Sequence, residues 1–125
     1  MDPAELTPHL VGHNVLDAAG QRLGRLDRLY RDVDDPGVCF GVVPMIRRGR
    51  RRWVFVPLVD ATVAPSSVTL CCGAQLARRA PQTRPGRELP AELEGDLYRH
   101  YDIPHQPRTD GSTRLHLVRE ADHRR

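Results

Sequence analysis

Arg51-Arg52-Trp53-Val54-Phe55-Val56-Pro57-Leu58 is the densest apolar β-type stretch of the chain and carries its only tryptophan. β-Branched and aromatic residues follow one another without a helical period, and a proline closes the run, so it reads as a strand. On a strand, Val54, Val56 and Leu58 share one face, while Trp53 and Phe55 share the other. The expectation is that the valine face points into the core and the two aromatics lie outside. A basic run, Arg47-Arg48-Gly49-Arg50-Arg51-Arg52, leads directly into it and is expected to form a loop.

Upstream, Val38 to Ile46 reads as the preceding strand, with Pro44 placing its end at a sheet edge. Asp34-Asp35-Pro36-Gly37 is a turn signal. Arg22 to Val33 carries Leu23, Leu26 and Leu29 at a spacing of three, which suits a helix superficially. Gly20 and Gly24 and the absence of an N-cap residue favour a single strand with a bulge. Leu10 to Asp17 is expected as the first strand, followed by a tight turn at Gly20. Downstream, Ala61–Ala64 and Val68–Cys71 form a short pair around Pro65-Ser66-Ser67.

After Cys72 the pattern changes. Gly73 to Ala80 predicts one or two helical turns stopped by Pro81. Leu89, Leu93, Leu97 and Tyr101 recur every four residues and predict a second helix with Pro90 in its first turn. Residues 104–125 are polar and are expected as a flexible tail, with Leu115-His116-Leu117-Val118 as an optional extra strand or docking segment. The domain organisation is a lead-in over 1–9, one domain over 10–103 and the tail. The fold class is mainly β: about six short strands joined by frequent turns, arranged as a small barrel or sandwich.

Composition narrows the function. The chain has 125 residues, 39% hydrophobic but only 5% aromatic, so the core must be built largely of Val, Leu and Ala. All 19 basic residues are arginine, and the net charge is +3, well short of a dedicated nucleic-acid binder. The mean hydropathy is −0.51, and no apolar run approaches the ~20 residues a membrane span needs. The N-terminus lacks the apolar region of a secretory signal, and three cysteines without one argue against a disulfide framework. These features lead to the expectation of a cytoplasmic protein with no membrane span.

The order of motifs resembles the PRC-barrel family. Val11-Gly12, Asp17 with Gly20, Leu23-Gly24-Arg25-Leu26, Phe55-Val56-Pro57-Leu58, Gln75 through Pro81, and Leu97-Tyr98-Arg99-His100-Tyr101 carry the resemblance over about residues 10–103. It implies a small, strongly bent β-barrel with one or two short C-terminal helices. Members include the cytoplasmic domain of the photosynthetic reaction-centre H subunit and the C-terminal domain of the ribosome maturation factor RimM. The implied role is a bacterial protein-binding or assembly module, an adaptor and not an enzyme, with no cofactor and no metal. A sheet edge or the 38–58 hairpin suits homodimer formation.

The candidate partner-binding residues are Arg47, Arg48, Arg50, Arg51, Arg52, Trp53 and Phe55. Guanidinium groups pair bidentately with carboxylate or phosphate, so RNA or a ribosomal surface is the alternative partner, with Trp53 available for stacking. The same arginines also suit a plain solvated loop in an arginine-biased chain. A small-ligand site or an undetected enzyme is the third possibility. Cys71-Cys72 lacks zinc-ligand spacing, and the six histidines are scattered. His100 reads as a packing residue, and Asp32, Asp34 and Asp35 as turn residues. No phosphate loop, nucleophile elbow or triad is recognisable.

Overall fold

The structure, a computed structural model, describes residues 7–86 and 88–121, without the side chains of Thr7, Pro8 and Arg47. The docking role expected for Leu6 and most of the lead-in therefore lie outside the described residues. A 3-10 turn at Thr7–Leu10 precedes β1 (Asn14–Leu16), β2 (Arg22–Arg25), β3 (Arg28–Asp32), β4 (Cys39–Arg47), β5 (Arg50–Pro57), β6 (Thr62–Val63) and β7 (Ser67–Thr69). Helices α1 (Ala74–Arg78) and α2 (Ala91–His100) follow, and β8 (Leu115–Glu120) ends the described chain. No helix among the described residues is long and apolar enough to cross a membrane.

The protein is mainly β, as the sequence predicts, with two four-stranded sheets ordered β2-β1-β7-β6 and β5-β4-β3-β8. Two strands exceed the expected number. One arises because Arg22–Val33 is not a single bulged strand. It is extended, but it breaks at Leu26-Asp27 into β2 and β3, which belong to different sheets. The Leu26 N–H donates to His13 O at 2.9 Å and its carbonyl accepts from Gly12 N at 2.8 Å, both in the first sheet's territory. The next residue, Asp27, donates its N–H to Val42 O in the second sheet at 2.8 Å. The spacing of three among Leu23, Leu26 and Leu29 is thus a corner, and all three side chains are buried. The two sheets share this corner; among the described residues the hydrogen-bonded ladders end at β6 and β2 and at β5 and β8 and do not close into a barrel.

Small residues let the corner close. Gly24 has φ +156°, and a Cβ there would stand 2.6 Å from Val43 Cγ1. Leu26 covers Gly41 so closely that a Cβ at Gly41 would meet Leu26 Cδ1 at 2.2 Å. Real side chains do not tolerate such separations without displacement.

Two cores result. Val15, Leu23, Leu26, Leu29, Val43, Val54, Val56 and Val68 pack together with Ala74 and Ala77 of α1. Tyr30, Phe40, Val42, Phe55 and Leu115 pack with Leu89, Leu93, Leu97 and Tyr98 on the other side. The second sheet is therefore covered on both faces. Each fully buried Leu or Phe contributes on the order of 1.5–3 kcal/mol. In α2 the stripe holds through Leu93 and Leu97, with Tyr98 beside it. Pro90 is the residue that precedes the helix, one place before the expected first turn.

The segment after Pro104 does not hang off the domain. β8 pairs antiparallel with β3, from Arg28↔Glu120 to Asp32↔Leu115. The optional strand at Leu115–Val118 forms, and the expected boundary at 103 does not separate it from the domain. Its polar composition hid this, because an edge strand keeps only part of its surface in the core.

The corner yields a test. Gly24→Ala is expected to lower unfolding stability by about 1–3 kcal/mol. Gly73→Ala, which meets nothing within 4 Å and needs no positive φ, is expected to stay within about 0.5 kcal/mol. Urea unfolding of the two variants measures the difference.

Candidate functional site

The arginine run is not a loop. β4 and β5 stay paired from Phe40↔Pro57 to Arg47↔Arg50, leaving only Arg48-Gly49 as the connection. Both residues have left-handed backbone, φ 53° and 76°, as a two-residue primed hairpin turn requires. Arg50, Arg51 and Arg52 belong to β5. β3 accompanies β4 only as far as Arg28↔Val42. Beyond Val42 the hairpin leaves β3 behind and continues as a two-stranded arm.

Strand alternation distributes the arm's side chains. Arg50 and Arg52 follow Val54 and Val56 on one face, with Met45 opposite Arg52. Arg51 shares the other face with Trp53 and Phe55, opposite Ile46, Pro44 and Val42 respectively. Arg48, Arg50, Arg51 and Arg52 are exposed, and Ile46 is 74% exposed. The Arg47 side chain lies outside the described residues. Arg52 also lines a small crevice with Met45, Val54, Arg78 and Gln82, so Arg78 of α1 adds to the basic surface.

The two aromatics part company. Trp53 is half-buried against the α2-side core. Phe55, expected on the outside and named as a partner contact, is fully buried. The face that reasoning from alternation left open is covered by α2 and Leu89, and the Tyr101 hydroxyl donates to Phe55 O at 2.5 Å. Alternation identifies faces, but it does not say how many of them are covered.

The arginines divide into those held in ion pairs and those that are not. Ion pairs tie up Arg28, Arg99, Arg108 and Arg114. Among the described residues no carboxylate pairs with Arg48, Arg50, Arg51 or Arg52.

The acids make a buried network that sequence reading reduced to a turn. Asp32 does accept the Asp34 and Asp35 N–H groups, at 2.8 and 3.0 Å, as a turn residue would. Its fully buried carboxylate also receives the Tyr98 hydroxyl at 2.7 Å and the Arg114 guanidinium at 2.8 Å. Buried Glu94 accepts the Leu115 N–H at 2.7 Å and sits 3.0 Å from His105 Nε2. Arg108 grips Asp34 with two nitrogens, at 2.8 and 2.9 Å, and holds that carboxyl below its ordinary value. These contacts fasten β8 and its approach to the sheet, a structural role. Their partners are too distant in sequence for any local pattern to show.

The remaining candidates have quiet surroundings. Asp17 accepts N–H groups from Ala19, Gln21 and Ala74, joining the first turn to α1. His100 Nε2 lies 2.7 Å from Leu76 O, with its ring edge-on to Tyr101. Cys71 is exposed and Cys72 half-buried, and burial pushes the Cys72 thiol up. No group of three or more His, Cys, Asp or Glu side chains among the described residues could hold a metal ion. No family model matches the chain, and comparisons with curated proteins and with solved structures find no match.

Two outcomes follow from the charge division. Replacing Arg48, Arg50, Arg51 and Arg52 with Ala together is expected to leave stability within about 1 kcal/mol, whereas Arg114→Ala costs about 3–5 kcal/mol by stranding buried Asp32. Thermal and urea unfolding distinguish them. Burial, aided by the bond to Asp32, also holds the Tyr98 hydroxyl well above the ordinary tyrosine value of 10.0. A group raised in this way stabilises fully below about pH 10, and its contribution is lost as pH rises further, because the unfolded chain releases that proton first. Stability should therefore fall above pH ~10, and Tyr98→Phe should flatten that fall in a pH series of urea midpoints.

Proposed function

We propose that this chain is a non-enzymatic binding and assembly module of the PRC-barrel type, cytoplasmic, with the β4–β5 arm as the element that meets a partner protein. The observation that carries this reading is the arm itself: exposed Arg48, Arg50, Arg51 and Arg52, none paired with a carboxylate among the described residues, beside exposed Ile46. A hairpin that keeps unpaired guanidinium forks and an apolar side chain in water is suited to a partner that supplies carboxylates. The motif order and the bent pair of small sheets support the family reading. The three cysteines, none in a disulfide, fit a reducing compartment.

Self-association fits this reading through a surface other than two arms meeting about a twofold axis. An isologous contact brings the same patch from both copies together, and here that would oppose arginine with arginine. RNA association is the second reading, favoured by the same unpaired guanidinium groups and half-buried Trp53.

Affinity capture from native lysate with the wild-type chain and with a variant carrying Ala at Arg47, Arg48, Arg50, Arg51 and Arg52 tests the proposal. A protein retained by the wild type and lost by the variant, insensitive to nuclease, is the expected result. Identical protein sets would overturn it. Retention that nuclease abolishes and that falls steeply with salt would establish the RNA reading instead.

A further inference from the structure

The arm has two edges, and one of them is better able to accept another strand. In an antiparallel ladder, residues alternate between those bonded to the neighbouring strand and those whose N–H and C=O point away. Leu58 N donates to Cys39 O at 2.9 Å, which sets the phase of the ladder. With the register running Gly41↔Val56, Val43↔Val54 and Met45↔Arg52, those pairs bond to each other. Arg51, Trp53 and Phe55 then direct their backbone groups to the outer edge of β5. Asp27 N donating to Val42 O at 2.8 Å fits the same phase from the other side, because Val42 pairs with Phe55.

Along β4, Pro44 falls at an outward position beyond the end of β3, so it offers no N–H there. The missing N–H blunts that edge of the arm against strand pairing, leaving outward groups only at Ile46 and the Pro44 carbonyl. Along β5, the Tyr101 hydroxyl occupies Phe55 O, closing the inner end. Among the described residues nothing bonds the outward N–H and C=O groups of Arg51 and Trp53. What remains is a short open edge, flanked by Arg50 and Arg52 on one face and by Arg51 and Trp53 on the other.

We infer that this edge of β5 takes an extended acidic peptide segment of a partner protein by strand addition. The inference rests on the binding-module reading and names the chemistry of its partner. Main-chain bonds to Arg51 and Trp53 supply the pairing, and side-chain pockets and charges supply the selection. Carboxylates on one face of the added strand meet Arg50 and Arg52. Apolar side chains on the other face lie against Trp53, across from the residues they bond. A second copy of this chain does not satisfy the edge by twofold pairing of β5, because like charges directly opposite one another are destabilising. The arginines that blunt the edge against self-pairing are the same groups that select an acidic strand.

Calorimetric titration of the full chain with a capped peptide of seven alternating Val and Glu residues tests this. Two further peptides carry N-methyl groups, one on the Val amides and one on the Glu amides. With Glu over Arg50 and Arg52, the Val amides face β5 and the Glu amides face solvent. The expected result is that the Glu-methylated peptide binds within about threefold of the parent, while the Val-methylated peptide is at least about tenfold weaker. Arg50→Ala with Arg52→Ala, in a chain whose melting is unchanged, should weaken the parent about tenfold. Equal binding of all three peptides would overturn strand addition while leaving the arm as a charged contact for a folded acidic surface. No peptide binding at ~1 mM, or binding of a short RNA oligonucleotide alone, would also overturn it.

Discussion

The structure depends on one close approach: Leu26 lying over Gly41, with Gly24 against Val43. Because no Cβ intervenes at either glycine, the chain passes from one sheet to the other within two residues, and β2 lies down on β4. This corner sets three features together. It buries Leu23, Leu26 and Leu29 on a single inner side. It joins two small sheets that would each be marginal alone. It also ends the β3–β4 pairing at Val42, where the chain turns off into the other sheet, which is why β4 and β5 beyond that point pair only with each other. The candidate interaction element is thus a consequence of how the core closes.

The second sheet gains stability by burying both its faces. Its inner face uses valines and leucines against the first sheet. Its outer face uses Tyr30, Phe40 and Phe55, which pack against Leu93, Leu97 and Tyr98 of α2. Covering that outer face required ordering the polar stretch beyond Pro104. Asp32 and Glu94 do this from inside the protein, by accepting Tyr98, Arg114 and the N–H of Leu115. A buried ion pair adds little net stability on its own, but its loss strands a charge. Its value here is in fixing where β8 lies. The same contacts engage Arg108 and Arg114, whereas Arg48, Arg50, Arg51 and Arg52 on the arm meet no carboxylate among the described residues.

Much of the architecture was legible in local pattern. Val38–Ile46 and Arg51–Leu58 read as strands because β-branched and aromatic residues cluster between turn residues. Leu93 and Leu97 read as one helical face because a four-residue spacing places them together. The basic run was legible as a feature, though not as a strand: arginine has no strong preference against β structure, and only pairing with β4 decides that Arg50–Arg52 continue β5. Phe55 was misplaced because a strand shows period two whether one face or both are covered. β8 was left optional because its anchor, Arg114 on Asp32, spans 82 residues.

By itself the sequence determined the class of fold, the turns, the apolar faces and the concentration of arginine at one hairpin. Those properties depend on residues a few positions apart, through backbone sterics and side-chain periodicity. Only the tertiary structure decided where β2 becomes β3, that Phe55 is inside, that β8 completes the second sheet, and which arginines keep their charge unpaired. Each of these depends on what lies across a space that sequence distance does not measure.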